Sequence, residues 1–396
     1  VAFLLLVASA WANLQIHVFD VGQADSQLIV FPSGYSLLID LGEERDDPNP
    51  TNAKRVGEKI EKILGKRHID AVVLTHIHLD HFGYVGVSGL WYLFEKMNFT
   101  TDKFIERDVG EFNGKRIKDC SYDTFDFHNV GEFEKYSLEW VCYANSNVEK
   151  TKLSKLREVA QICSTNQINL PDKDVQVELF TSDGFGAVRF DGQSVGGNHL
   201  NQPLMTSEND YSIGIRIQYG SFVYVTSGDL DGGYYYSYGM TINNIETEIK
   251  EIVGPVDVFR ANHHGSKHSN SWDYLSILQP AVSIISCGEG NPYYHPSPNA
   301  AYRLTQKSQM VYATEHCNPA VTYSNYFEMR DDVIITVDSN SSTTFTVTNS
   351  ANTYKQTFNI NMKKQKRAEC ISPTHPTVNA ASKFMVLLTL VVMLMF

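Results

Sequence analysis

Residues 75–83 read Thr-His-Ile-His-Leu-Asp-His-Phe-Gly and directly follow an apolar run at 69–74 that predicts a buried strand. Four side chains in this stretch are of metal-ligand type: His76, His78, Asp80 and His81. Alternate residues of an extended segment point the same way, so His76 and His78 are expected to share one metal ion. A turn after them would direct Asp80 and His81 toward a second ion.

The alternative is that these are polar loop residues or hydrogen-bonded core histidines, which would be the better interpretation of a single histidine. Four ligand-type residues at this spacing, at the end of a strand, favour a metal site instead. Imidazole suits zinc, and the carboxylate widens the choice toward manganese or iron. The sequence therefore predicts two divalent metal ions, with zinc preferred.

Composition limits the kinds of partner. The 396 residues are 42% hydrophobic and 20% charged, as expected for a globular protein with a sizeable core. The net charge of −12 argues against a broad nucleic-acid-binding surface, which needs clustered Lys and Arg. One basic run, residues 363–367, lies near the C-terminus and is predicted to be a solvated spacer.

Both ends resemble processing signals. Residues 1–12 resemble the later part of a secretory signal peptide, truncated at its start. Residues 384–396 are an uncharged apolar tail preceded by small and polar residues, which together resemble a GPI-attachment signal. The alternatives for the tail are a short membrane span and a packed terminal helix. We expect a hydrolase domain at 13–362 and a spacer with a hydrophobic tail at 363–396.

The cysteines fit a secreted protein. Six are present: Cys120, Cys142, Cys163, Cys287, Cys317 and Cys370. An even number in such a protein indicates disulfides, although six cysteines allow fifteen pairings. The only pair that we predict is Cys287 with Cys317. No Cys-x-x-Cys spacing is present, which disfavours a cysteine zinc cluster.

The predicted elements form one large domain. A helix is expected from Asn52, because apolar residues recur at helical spacing and Gly65 stands where a C-cap would. Residues 97–205 are predicted to be an elaboration between the core halves, with a polar helix near 151–162. Strands are predicted at 14–19, 27–30, 36–40, 69–74, 212–219, 222–226, 256–261, 281–286, 333–337 and 343–348, and a further helix near 272–278.

A series of short motifs surrounds the histidine stretch in a fixed order: Asp20-Val-Gly-Gln-Ala-Asp25, Leu38-Ile-Asp40-Leu-Gly, Asn209-Asp-Tyr-Ser, Ser-Gly-Asp229, His263-His264-Gly-Ser and His295-Pro296. The histidine stretch resembles the signature of the metallo-β-lactamase superfamily, whose fold is an αββα sandwich. The whole order, over roughly 14–350, resembles the hydrolase domain of competence protein ComEC and related extracellular phosphodiesterases. The chain shows none of ComEC's many membrane spans, so a role in DNA uptake is not carried over.

The resemblance implies a ligand set. Asp229 would bridge the two metals, and one of His263 and His264 would complete the second site while the other contacts substrate. Many superfamily members add a further histidine to the first metal. The candidates here, His128 and His199, are expected to be surface residues instead.

The resemblance also implies roles around the metals. Asp40 and Asp25 are expected to orient a ligand or its backbone, with turn chemistry as the alternative. Asp80, His264 and His295 are the predicted catalytic residues, and His295 or the spare histidine would protonate a leaving oxygen. Residues expected to contact substrate are Asn209, Ser266 and Lys267.

The predicted function is a secreted or surface-anchored phosphodiesterase that uses a metal-bound hydroxide at a dinuclear site. Small or surface-polymer phosphoesters are expected as substrates, with nucleic acid disfavoured by charge, and the membrane would be reached through the C-terminal anchor. The alternatives are a hydrolase of a lactam, lactone or thioester, and a surface binding protein with a degenerate site. Metal content and turnover would distinguish these classes.

Overall fold

The computed structural model describes residues 13–44, 51–128, 135–185, 187–188, 194–195, 207–237 and 240–371. The predicted signal peptide, the predicted hydrophobic tail and His199 lie outside these residues. Two large sheets dominate the described part of the chain. Three two-stranded ribbons accompany them, pairing Gly110–Glu111 with Asp126–Phe127, Ala187–Val188 with Ser194–Val195, and Gly232–Ser237 with Met240–Asn244.

The first sheet is antiparallel on one side and parallel on the other, and the parallel part begins where residues 36–41 pair with 68–73. Its nine strands, in spatial order, are Lys355–Asn359, Thr344–Asn349, Val333–Val337, Leu14–Val18, Ser26–Val30, Ser36–Leu41, His68–Val73, Thr100–Glu106 and Arg157–Val159.

The second sheet has the same mixed character, and its parallel part begins where residues 222–226 pair with 258–260. Its seven strands are Tyr326–Glu328, Met310–Ala313, Val282–Ile285, Val258–Arg260, Phe222–Thr226, Gly214–Tyr219 and Val175–Thr181.

The sheets pack face to face, and helices cover their outer faces. Successive strand residues point to opposite sides, so Ile29 packs in the core between the sheets while Leu28 packs in the core under the helices. The α-helices are Asn52–Leu64, Leu79–Phe82, Gly89–Trp91, Lys135–Ala144, Ile245–Val253, Trp272–Leu278 and Pro298–Lys307, with a π-helix at Tyr92–Lys96 and 3₁₀ turns at Ile117–Asp119, Glu208–Tyr211 and Asn262–Gly265. The predicted αββα sandwich is confirmed.

The helix Asn52–Leu64 begins and ends where its sequence predicts. The Thr51 side chain accepts a hydrogen bond from the Lys54 amide at 3.0 Å, which caps the first turn. Val56 and Ile60 are buried against the first sheet. Gly65 closes the helix at φ +68°, a left-handed conformation that glycine adopts at little cost.

One predicted element is wrong: no helix forms over 151–162, and turns and the short strand at 157–159 occupy it. Residues 97–205, predicted as an elaboration between the core halves, also supply three strands of the two sheets and the helix at 135–144, whose Trp140 is fully buried. The strands from 333 onward form one edge of the first sheet.

The basic run at 363–367 is not simply a solvated spacer. Lys364 Nζ lies 2.6 Å from Asp257 and Arg367 Nη2 lies 2.7 Å from Glu178. Cys370, three residues later, forms a disulfide with Cys163. The segment is therefore fastened to the second sheet, which the sequence did not reveal because each partner is distant in the chain.

All six cysteines are paired. The predicted Cys287–Cys317 disulfide is confirmed, and the other pairs are Cys120–Cys142 and Cys163–Cys370. Among the described residues, no helix is both long and apolar enough to cross a membrane.

Candidate metal centre

The candidate site lies at one edge of the sandwich, where loops follow the carboxyl ends of strands from both sheets. In open α/β sheets this edge is the usual place for ligands. Three strands lead into it: His68–Val73 into residues 75–81, Phe222–Thr226 into residues 227–229, and Val258–Arg260 into residues 262–265.

Two glycines let these loops approach closely. A Cβ atom on Gly42 would lie 1.6 Å from the backbone oxygen of Asp80, so only glycine fits against that loop. Gly228 has φ +52°, and a Cβ there would lie 2.8 Å from Thr75 Oγ1. The glycines of the Asp-Leu-Gly and Ser-Gly-Asp motifs are thus explained by backbone packing around the site.

One group of four ligand atoms converges at this edge. Asp80, His81, Asp229 and His264 each contribute one atom, and these atoms all lie within 4.8 Å of one another. His81 Nε2 is 3.3 Å from Asp229 Oδ1, and His264 Nε2 is 3.2 Å from Asp80 Oδ2 and 3.5 Å from Asp229 Oδ2. Two imidazoles and two carboxylates are a donor set that suits zinc, manganese or iron.

The two histidines of this group are oriented from behind. His81 Nδ1 lies 2.8 Å from Asp40 Oδ2, and His264 Nδ1 lies 2.8 Å from the backbone oxygen of Ser286. Each Nδ1 therefore carries the proton, and each Nε2 presents a lone pair. In the described part of the chain, three buried atoms have no hydrogen-bond partner: His81 Nε2, His264 Nε2 and Asp229 Oδ1. Buried polar atoms usually have a partner, so a bound metal ion would explain why these three do not. The residues fit a divalent cation.

His76 and His78 form a separate pair beside this group. His76 Nε2 and His78 Nδ1 are 3.1 Å apart, and the His76 and His81 rings lie 4.1 Å apart between centroids. Among the described residues, the pair belongs to no set of three His, Cys, Asp or Glu ligand atoms. The structure therefore brings together one four-residue set and one two-residue set.

The adjacent histidines 263 and 264 point in different directions. Both have positive φ, 50° and 49°, which turns one side chain into the ligand group and the other toward the cavity. His263 Nδ1 lies 3.1 Å from Asp231 Oδ1, and its ring lies 5.5 Å from that of His295. Burial lowers the pKa of His263, but the carboxylates of Asp229 and Asp231 outweigh it and raise the pKa to about 9.

The two predicted supporting aspartates act differently. Asp40, at φ +58°, accepts hydrogen bonds from the backbone amide and hydroxyl of Thr75, each at 2.7 Å, besides its contact with His81. Among the described residues, Asp25 forms no hydrogen bond or ion pair with a histidine, although its carboxylate lies within 4.8 Å of the Asp40 and His81 atoms. Its carboxylate lies 3.0 Å from the fully buried guanidinium of Arg260, whose Nη1 lies 3.7 Å from Asp229. Asp25 therefore supports the site through Arg260.

A cavity of about 380 Å³ opens above the ligands. Its walls comprise Gln23, Glu44, His78, Leu79, Asp80, Tyr84, Asn209, Asp229, His263, His264, Tyr293 and His295. His295 stacks on Tyr293 with centroids 5.6 Å apart, and burial together with the nearby histidines lowers its pKa to about 2. The predicted substrate residue Asn209 lines this cavity.

Three predicted or considered residues lie elsewhere. Ser266 is buried and Lys267 is exposed, and neither lines the cavity as described, so the prediction that both contact substrate is not supported by their position. His128 is 47% exposed and pairs with Asp108, in keeping with its predicted surface location.

Sequence reasoning missed four buried residues that support the site. Arg260 ends a strand, Asp231 follows Asp229, and Arg107 pairs with Glu208 at 2.5 Å with both side chains fully buried. In a sequence, a charged residue beside a ligand motif is weak evidence for a role in the site, because most charged residues are solvated. The partners of Arg107 and Arg260 are distant in sequence, so only the fold shows that these charges are paired.

Comparison with known proteins agrees with this geometry. Residues 19–87 match the family model of the metallo-beta-lactamase superfamily. The chain is 23% identical over 334 residues to ComE operon protein 3 of Bacillus subtilis, covering 82% of this chain and 34% of that protein. It is 41% identical over 59 residues to Recombination protein 2 of Haemophilus influenzae, covering 15% of this chain and 8% of that protein. The chain thus spans about a third or less of these relatives.

Among solved structures, Tm1679, a metal-dependent hydrolase of the beta-lactamase superfamily, aligns with a TM-score of 0.37 and 12% identity over 76% of this chain and 95% of that one. The predicted family resemblance, including the likeness to ComEC, is confirmed by the family match and the ComE relative. The chain is therefore similar to the metallo-β-lactamase superfamily over residues 19–87 and to ComE operon protein 3 over most of its length.

Proposed function

We propose that this protein hydrolyses small phosphodiesters with two divalent metal ions. The observation that carries the proposal is the convergence of Asp80, His81, Asp229 and His264 at the base of the cavity. These four residues would hold one ion, and His76 and His78 would hold the other, with Asp229 shared. When bound, such ions lower the pKa of a water molecule from about 15.7 to about 7 and neutralise charge on a phosphoryl group.

The protein's own side chains would position the substrate and move a proton. His263 Nδ1 faces Asp231, so its Nε2 is the atom that can donate to a leaving oxygen in the cavity. This carboxylate contact stabilises the protonated ring. Among the described residues, His295, the acid predicted from the sequence, forms no ion pair with a carboxylate, and its ring stacks on Tyr293, which favours a role in walling the substrate.

The charge of the cavity favours a compact substrate. Its described lining residues include the carboxylates of Glu44, Asp80 and Asp229 and no Lys or Arg. A polyanion such as nucleic acid would meet repulsion along its length, whereas a small diester carries one charge that the metal ions can neutralise.

A substrate screen tests the proposal. The purified protein should hydrolyse bis-nitrophenyl phosphate or choline-phosphate esters with added zinc or manganese, and chelation should abolish turnover. Lactams, lactones and thioesters serve as the alternative substrates. Their turnover without phosphodiesterase activity would move the protein to the second predicted class, and metal binding without any turnover would make it a binding protein.

We also propose that the protein works outside the cytosol, attached by a lipid at its C-terminus. Three disulfides that use every cysteine support an oxidising compartment. Phosphatidylinositol-specific phospholipase should release the protein from intact cells, without residues from about 384 onward. A tail peptide that stays in the membrane-bound protein after treatment would contradict the anchor.

A further inference from the structure

Beyond the shared Asp229 of the proposed function, the pair His76 and His78 lacks an evident third ligand of its own. No third His, Cys, Asp or Glu atom among the described residues groups with it, and His128 pairs with Asp108 at the surface. Two nitrogens and a carboxylate that is shared with the neighbouring ion hold a divalent ion less firmly than three or four protein ligands of its own. Amide oxygens are a further type of protein donor for divalent ions.

Asn209 offers such an oxygen. The residue is 8% exposed and lines the same cavity as His78 and Asp229. Its Nδ2 lies 3.4 Å from His263 Nε2 and 3.5 Å from Nδ1 of the same ring. The amide nitrogen is thus nearly equidistant from both ring nitrogens and packs against the ring, which leaves the Nε2 proton of the proposed function available to a substrate. Its Oδ1 is buried and has no hydrogen-bond partner in the described part of the chain. A buried polar atom without a partner is costly unless a ligand satisfies it.

The turn that carries Asn209 is fixed to the histidine pair. The preceding residue, Glu208, accepts a hydrogen bond from the backbone amide of Ile77, between the two histidines, at 2.9 Å. Arg107 Nε donates to the same carboxylate at 2.7 Å, and the guanidinium stacks 4.4 Å from the Tyr211 ring. These side chains are at most 1% exposed. The carboxylate therefore holds the Asn209 turn and the histidine loop as one unit.

We propose that Asn209 Oδ1 is a further protein ligand, beside the shared Asp229, of the cation held by His76 and His78, with Glu208 and Arg107 as positioning residues. This inference rests on the proposed function. An uncharged oxygen donor is harder than a third imidazole, so the site should bind manganese more competitively against zinc than an all-histidine site would. It should also release its ion more readily than the four-residue set.

Metal binding of three variants of the full chain tests the inference. Asn209→Ala removes the oxygen, Asn209→Asp keeps one, and Asn113→Ala is the control at an exposed asparagine far along the chain. Equilibrium dialysis with Mn²⁺ or Zn²⁺, elemental analysis and the Mn²⁺ EPR spectrum are the readouts. Asn209→Ala should weaken one of two sites by about 10–100-fold or more, the range seen even for outer-shell residues. Asn209→Asp and Asn113→Ala should keep both ions.

The outcomes separate this inference from the proposed function. If wild type binds two ions and Asn209→Ala binds both with unchanged affinity, Asn209 is not a ligand. If Asn209→Asp loses the ion as fully as Asn209→Ala does, the amide is structural and the inference is wrong. If well-folded wild type binds no metal, the proposed function fails as well.

Discussion

At the scale of single residues, Asp229 is the carboxylate most tightly surrounded by other ligand groups. It lies between His81 and His264, and Arg260 approaches it from behind. Burial alone would raise the pKa of Asp229. The surrounding histidines outweigh burial and hold the pKa well below its usual value. The carboxylate is therefore held ionised and directed at the site.

We expect Asp229→Asn to lose most of both metal ions, because a shared carboxylate serves both sites. His76→Ala should lose one ion and leave the four-residue set largely filled. Elemental analysis of folded, dialysed protein is the measurement, with circular dichroism to check folding. Full metal content in Asp229→Asn would contradict a shared role for this carboxylate.

We expect His263→Ala to lower kcat by about 10²–10⁴-fold, the range typical of one proton-transfer group. His295→Ala should have the smaller effect on kcat and raise KM, because its ring walls the cavity beside Tyr293. Both variants should retain their metal, which elemental analysis checks. The opposite ranking of the two kcat effects would restore His295 as the acid predicted from sequence.

At the scale of elements, the sequence predicted what local patterns determine and missed what distant contacts determine. The helix at 52–64 has its cap, its apolar stripe and its terminal glycine within the fifteen residues 51–65, and it forms as predicted. The histidine stretch carries its own signature, so its spacing alone predicted four candidate ligands, of which the structure groups Asp80 and His81 with Asp229 and His264. By contrast, the Arg157–Val159 strand exists because it pairs with Thr100–Glu106, about fifty residues earlier. No periodicity within 151–162 encodes that pairing.

The C-terminal segment should stabilise the second sheet through the Cys163–Cys370 disulfide, whose cysteines are 207 residues apart. Replacing both cysteines with serine should lower the free energy of unfolding by about 2–4 kcal/mol. The matched control is the Cys287–Cys317 pair, which is 30 residues apart and in the chain-entropy model should contribute about 1–2 kcal/mol less. Denaturant unfolding of both double variants measures this; equal losses would indicate that native contacts, and not loop closure, dominate.

A carboxyl pair joins the loop after the first strand to the loop before the C-terminal strands. Burial, followed by the hydrogen bond and charge of Glu315, raises the pKa of Asp20 from 3.8 to about 8. A raised pKa in the folded state means that the stability from this group is fully present below about pH 4 and is lost as pH rises through about 8. Asp20→Asn should therefore raise the melting temperature relative to wild type at pH 8–9 and have little effect near pH 4. Thermal unfolding across pH is the measurement, and a uniform shift at all pH values would contradict this carboxyl pairing.

At the scale of the whole molecule, net charge and cavity charge have the same sign. The chain carries −12, and the described cavity walls add carboxylates without Lys or Arg. At 0.01 M salt the screening length is about 30 Å, so a long polyanion would be repelled along much of its length. At 0.1 M salt the screening length is about 10 Å, and the repulsion is weaker. A small diester is affected mainly by the metal ions and much less by the distant surface.

The ratio of kcat/KM for a small diester to that for an oligonucleotide should therefore be large at low salt and fall as salt increases. The oligonucleotide value should account for the change, because screening weakens only the long-range repulsion. A mononucleotide ester is the matched control, since it has the same reacting group and little of the polyanion. If kcat/KM for the oligonucleotide instead falls as salt rises, the protein attracts nucleic acid through a locally basic surface despite its negative net charge. Small phosphodiesters would then not be its preferred substrates.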